Sequence, residues 1–481
     1  MKKAIIHRSR IRHSEAGITM LFVAICMVAI VAMAALSIDV VTLYLARMEA
    51  QRAADTAALA AARVISISGI TGDPGDTTGH WSQICGGNTG TATQAALAVA
   101  VQTVDRVSPT VTVTYSAGGT SNASCVGLPA AFGVNPMVTV QVTRSNLPTF
   151  FSHMWGNSGN TTIATATAEV FNPSNSSNVG NSGATGVVTP VWPRCVKPWM
   201  VPNLDPLNPA GCTTHCSQFV DQLGQNDGHI LNPGISVNGG NANGVIGETF
   251  WLASDCKHTG SSCTFRTTPP EQANYTLAPY ITTGNTTPNV LYLPGQPPTT
   301  TPVAVPSSAS GGSLYEQAIA GCDQSTVYQC GVQNASFNPN MIDLNENPTS
   351  SNDMIAGVQD LIHENTLGTV DGQDTINNTA YPFQFLAGSS NPLVSGSLAS
   401  GSAITSSRSI VTVPLYDYTS AIASSGTTQV TIVGFLQVFV NYVDQYSNVN
   451  VTVLNVAGCG TNATGAAVAG SSPVPIRLIT Q

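Results

Sequence analysis

Residues 18–38 read ITMLFVAICMVAIVAMAALSI, twenty-one positions without one charged side chain. A helix rising 1.5 Å per residue over this run crosses roughly 30 Å of hydrocarbon, the thickness of a bilayer core. Ahead of the run Lys2, Lys3, Arg8, Arg10 and Arg12 face only Glu15, a local charge of +4. After it come 11 of the 16 basic and 24 of the 25 acidic residues, a charge of −13. Short flanks rich in Lys and Arg resist translocation. The run therefore predicts one membrane-spanning helix, with residues 1–17 as a basic segment on the cytoplasmic side and the bulk on the far side.

The helical pattern does not stop at the membrane edge. Residues 37–64, SIDVVTLYLARMEAQRAADTAALAAARV, contain neither Pro nor Gly and are dominated by strong helix formers. Leu43, Ala46, Ala50, Ala53, Ala57 and Ala61 recur every three or four positions, whereas Arg47, Gln51, Arg52 and Asp55 take other angles. An alanine face permits close packing, either on the chain's own domain or on another protein. A second reading of the same region is a cleaved signal peptide, since Ala32-Met33-Ala34 places small residues at the spacing a signal peptidase uses.

The segment GITMLFVAICMVAIVAMAALSIDVVTLYLARMEAQRAADTAALAAA resembles the N-terminal region of Tad (tight adherence) Flp-pilus assembly proteins of the TadE/TadG-like type. The parts that carry the resemblance are Gly17 opening the apolar run, Asp39 at its outer edge, Tyr44 and Arg47 on the next turns, then Gln51, Ala53, Ala54 and Asp55 before an alanine run. It covers residues 15–64, and more loosely the stretch to about 171. Type IV prepilins are cut after a Gly and carry a Glu five residues on, a position held here by Phe22. An uncut anchor, as in the larger TadG-like proteins, is therefore what the resemblance implies. It further implies a bacterial inner-membrane protein with its bulk periplasmic or extracellular, acting without catalysis in pilus assembly or adhesion. The implied partners are the membrane and other Tad/Flp proteins, or a second copy of this chain, met through the N-terminal helix.

Beyond the helix the chain is poor in charge, 9% of residues, and carries 44 Gly and 29 Pro, which favours strands and turns. Residues 91–107 predict a helix, and 110–116, 137–144 and 161–170 alternate as strands. With the aromatic segment LPTFFSHMW at 147–155 they make residues 39–171 one α+β module. NPSNSSNVGNSGATGVVT at 172–189 has the composition of a flexible linker. Residues 190–481 predict a larger, mainly-β and loop-rich domain with one helix at 353–364 and a terminal β-meander from strands at 409–418, 429–443 and 448–458. The expected class is α+β: a long transmembrane helix (18–38) running into the small module, followed by the disulfide-containing domain.

Eleven cysteines are present, and Cys26 lies in the apolar run. The other ten, Cys85, Cys125, Cys195, Cys212, Cys216, Cys256, Cys263, Cys322, Cys330 and Cys459, are an even set suited to disulfides in an oxidising compartment. Pairing is not readable from spacing. Cys256 with Cys263 and Cys322 with Cys330 would each close a short loop, stabilising it by about 2–3 kcal/mol.

Catalytic constellations are missing from the sequence: there is no Gly-x-Ser-x-Gly elbow and no P-loop. His363-Glu364 opens a zincin pattern, but Leu367 stands where the second histidine belongs. Cys212, His215 and Cys216 supply only three soft donors, Asp323-Gln324-Ser325-Thr326-Val327 lacks the last hydroxyl of a von Willebrand factor A metal motif, and Asp371 with Asp374 makes a sparse calcium loop. No metal, cofactor or catalytic residue is expected. The exported part shows no run of Lys or Arg, which argues against nucleic acid. The competing function is an exported ligand-binding or hydrolytic protein, its surface ligand unknown, that stacks a carbohydrate on Trp192, Trp199 or Trp251.

Overall fold

The computed structural model describes residues 16–479 apart from several short interruptions and the longer segments 71–80, 150–155, 174–190, 208–217, 222–227, 237–243, 266–288, 332–339, 344–352, 419–426 and 460–467. Most of the linker expected at 172–189 and of the aromatic segment at 147–155 falls outside the described residues, although Asn172 is buried and donates to the Val456 carbonyl at 2.7 Å. The chain is an α+β protein: one long apolar helix followed by a mainly-β region with three disulfides among the described residues.

Helix α1, Ala16–Ile67, runs for 52 residues. Helix α2, Thr91–Thr103, buries Ala92, Ala96 and Ala100, a single face at four-residue spacing. Four strands follow: β1 (Thr110–Ala117), β2 (Thr120–Asn122), β3 (Met137–Leu147) and β4 (Asn160–Val170). Alternation makes β3 half-buried, with Val138, Val140, Val142 and Arg144 turned inward. In β4 the inward positions are small, Thr162, Ala164 and Ala166, which lets a helix approach the sheet closely. The sheet runs β2-β1-β3-β4, and its fifth strand is Ile476–Ile479, antiparallel to β4. Arg477 seals that seam with a salt bridge to buried Glu169 and a stack over Phe171.

The larger sheet has seven strands. In chain order they are β5 (Trp199–Pro202), β6 (Thr249–Ala253), β7 (Asn289–Leu291), β8 (Leu293–Pro294), β9 (Ile410–Tyr416), β10 (Ile432–Val443) and β11 (Val449–Gly458). Their spatial order is β7-β6-β11-β10-β9-β5-β8. The predicted meander β9-β10-β11 is its antiparallel centre, and β5 and β7 add to it by parallel pairings. Nearly every side chain of β9, β10 and β11 is buried, so both faces of the centre are covered.

The helix predicted at 353–364 is α4, Asp353–Ile362, which packs on β10 and on α3, Leu314–Ala320. Sequence reasoning missed α3, yet Ser313 caps it by accepting from the Glu316 amide, and Ser-x-x-Glu is a start signal for a helix.

By contacts the chain forms two compact units. One comprises residues up to 54 with 100–112 and 141–165; the other comprises 55–99, 113–140 and 166–481. In the first, Arg144 on β3 is ion-paired with Glu49 on α1, and Gln51 donates to the Thr165 carbonyl on β4. The second holds the seven-stranded sheet and all three described disulfides.

Candidate membrane anchor and assembly helix

Helix α1 begins with side chains that are apolar on every face and exposed on every face. Met20, Val28 and Val31 are 77%, 70% and 66% exposed, and the richest 18-residue window has a mean hydropathy of 2.8. No water-soluble packing arrangement leaves such a surface open, whereas lipid does. This stretch is a candidate membrane anchor.

Further along, the alanine face turns inward. Ala50, Ala53, Ala54, Ala57, Ala58, Ala61 and Ala62 have no exposed surface in a single chain. Of the two uses open to an alanine face, packing on the chain's own domain is the one observed. The remaining motif residues divide accordingly. Gly17 lies in the first turn with open space around it, Tyr44, Arg47 and Gln51 are exposed, and Asp55 is half-buried. Asp39 is buried at the edge of the apolar run, where its carbonyl accepts from Thr42 Oγ1 at 2.9 Å. The ion pair between Glu49 and buried Arg144 was not legible in sequence, because nothing local links positions 95 residues apart.

The end of α1 is held by a polar row across the large sheet. Thr412 on β9, Gln437 on β10 and Asn455 on β11 are cross-strand neighbours and all buried. Asn455 Nδ2 donates to the Ser66 carbonyl at 2.8 Å and to Gln437 Oε1 at 2.5 Å, while its Oδ1 accepts from the Ile70 amide at 2.7 Å. Gln437 in turn donates to Ser472 Oγ at 2.9 Å. Helix ends leave carbonyls without intrahelical partners, and a buried carbonyl left so costs about 1–3 kcal/mol. Asn455 therefore selects one seating of the helix end. Gly69 completes it, with φ of +95° and the rings of Tyr381 and Phe383 within 3.3 Å of where a Cβ would stand. Tyr381 Oη donates to the Gly69 carbonyl and the Phe383 amide donates to that of Ser68.

Residues 17–64 match the Tad family model, described as "Putative Flp pilus-assembly TadE/G-like". The chain carries a TadE/G-like segment. Its limits fall almost on those of α1, so the matched unit is the helix itself. No curated protein and no solved structure matches the chain.

Outside the TadE/G-like segment, most of the polar residues singled out in the sequence serve structure. Asp374 accepts from the Gly388 amide, Asn391 Nδ2 and Ser407 Oγ, and Asp371 accepts from Thr366. Glu364 accepts from the Gly368 amide, and burial pushes its carboxyl up to about 7. His363 has its basicity lowered by burial and then by Arg408. Asp323 folds back on Ser325. Cys212, His215 and Cys216 lie outside the described residues. Among the described residues no three His, Cys, Asp or Glu side chains converge as a metal set. Trp199 is fully buried, while Trp192 and Trp251 are half-buried and Trp251 meets Tyr442 edge-on at 5.2 Å.

Among the described residues the cysteines pair as Cys85–Cys125, Cys195–Cys322 and Cys330–Cys459, with Cys26 free. The short Cys322–Cys330 loop is therefore not formed. The Val303–Cys322 bridge and the Gly331–Ile432 bridge seat these two cysteines on different neighbours, and each finds a partner well over a hundred residues away in sequence. The side chains of Cys256 and Cys263 lie outside the described residues, although their segments pair as an antiparallel hairpin.

Proposed function

We propose that this protein is a single-pass inner-membrane component of Tad/Flp pilus assembly or surface adhesion. The residues before α1 are cytoplasmic, the β-rich bulk is periplasmic or extracellular, and the action is non-enzymatic. The observation that carries this reading is that the TadE/G-like segment is one helix, exposed and apolar at its start and embedded in its own protein at its end. Such a helix ties a membrane-spanning stretch to a folded exported part within one element. Because the alanine face is covered, contact with other Tad/Flp proteins or a second copy falls on the exposed face of α1 that bears Val40, Tyr44, Leu45 and Met48. The small module at 39–171 and the domain at 190–481 together are, on this reading, the exported part of the chain.

Deleting the gene is expected to abolish surface pili seen by electron microscopy and to reduce adhesion, with restoration by the intact chain. Unchanged pili and biofilm would sink the proposal. Mass spectrometry of the membrane-fraction protein is expected to find residues ahead of Gly17, and protease added to spheroplasts is expected to digest the bulk. A mature start at Ala35 would instead support an exported, signal-cleaved ligand-binding protein.

A further inference from the structure

Eleven Lys and Arg residues are scattered through the chain after position 38, and four of them, Arg63, Arg194, Lys197 and Arg408, line one cleft of about 490 Å³. They reach it from α1, from the segment before β5 and from the loop before β9. Among the described residues no carboxylate lines the cleft. The nearest acidic influences come from outside the lining: Asp323 acts on Lys197 and Asp360 on Arg408, and Asp374 is held by Ser407.

The four cations are differently placed. Lys197 is buried at the base, where its Nζ donates to the carbonyls of Ile319 and Gly321 at 2.6 Å and of Ala318 at 3.4 Å. All three of its donors are used by neutral carbonyls. Burial first, and Arg408 second, draw its amine down to about 7. Arg408 gives one end of its guanidinium to the Ala320 carbonyl at 2.7 Å and is otherwise exposed. Arg63 and Arg194 are exposed, and neither makes an ion pair among the described residues. Hydroxyls of Ser472 and Thr412 and apolar side chains such as Val411 and Val474 complete the walls.

Gathering like charges in a chain this poor in them is unfavourable unless an anion joins them, and guanidinium forks match carboxylate and phosphate oxygens. We propose that this cleft binds an oxyanion, a carboxylate or a phosphate group, with Arg63, Arg194 and Arg408 as donors and the Lys197 amine at the base behind them, its charged form favoured by the bound anion. The lining has no aromatic ring on which a base or sugar could stack, and four cations neutralise one group rather than a polymer. The proposal is independent of the assembly role.

The test uses the full chain in detergent, titrated with inorganic phosphate and separately with citrate at constant ionic strength, read by calorimetry and by thermal shift. Saturable one-to-one binding of at least one probe is expected, and which probe binds distinguishes a phosphate from a carboxylate site. Arg63→Gln and Arg194→Gln, both at exposed positions, are each expected to weaken binding about tenfold. Arg63→Lys should recover part of that loss, and Arg47→Gln, exposed outside the cleft, should change nothing. Absence of saturable binding by either probe, or undiminished binding in the folded Arg63→Gln/Arg194→Gln double variant, would overturn the proposal.

Discussion

The two halves of α1 share one unbroken backbone and meet opposite surroundings. In the first half large aliphatic side chains point in all directions and stay exposed; in the second, alanines line one face and vanish into the protein. Side-chain size accounts for the difference. Bulky residues on every face suit a disordered hydrocarbon that fits any outline, whereas alanines let a helix approach strands whose inward residues are themselves small, as Ala164 and Ala166 are on β4. A helix can thus be continuous in structure and divided in solvation.

The largest effect should come from making the first half unfit for lipid. Val28→Arg with Ile30→Arg costs about 5 kcal/mol or more at the bilayer centre. The variant is expected to disappear from the carbonate-washed membrane pellet; undiminished retention would mean that something other than this half holds the chain. Next in size, Asn455→Leu leaves the Ser66 carbonyl and the Ile70 amide without their buried partner, a loss of about 2–4 kcal/mol measurable by denaturant unfolding of the chain in detergent. A smaller loss, or none, would show that the helix end is not seated by this residue. One substitution made in both halves sharpens the contrast further. Ala57→Leu should overpack its site and cost about 1–3 kcal/mol. Ala29→Leu, on the exposed half, should leave stability unchanged, and equal effects would erase the distinction.

A last prediction concerns pH. Glu248 is buried just ahead of β6, and burial with Asp205 beside it pushes its carboxyl from 4.5 up to about 10. The folded chain keeps a proton that the unfolded chain releases, so stability is highest below 4.5 and falls as pH rises towards about 10. In Glu248→Gln the melting temperature should depend less on pH across that window; an unchanged slope would assign it to other groups.

Much of this architecture was legible. Uninterrupted helix formers marked α1, and the alternating apolar residues of β9, β10 and β11 marked a meander, because local periodicity survives in elements of seven or more residues. The short flanking strands escaped notice. Two to five residues such as Leu293–Pro294 or Thr249–Ala253 have no period to detect, and their places in the sheet come from pairings with segments distant in sequence. Helix α3 is a different kind of miss, since its Ser313 to Glu316 capping signal was present and was overlooked.

What the sequence determined by itself is whatever depends on neighbours along the chain: an uncharged run as long as a bilayer is thick, its flanking charge, an alanine period, and the TadE/G-like pattern laid over all three. Tertiary structure alone decided what depends on neighbours in space. It turned the alanine face inward, sent Cys322 and Cys330 to distant partners, placed Asn455 under the helix end and gathered four scattered cations into one cleft. The physical reason is range: helix propensity and hydropathy act through adjacent residues, whereas disulfides, buried hydrogen bonds and charge clusters form between segments that meet only after the sheets have closed.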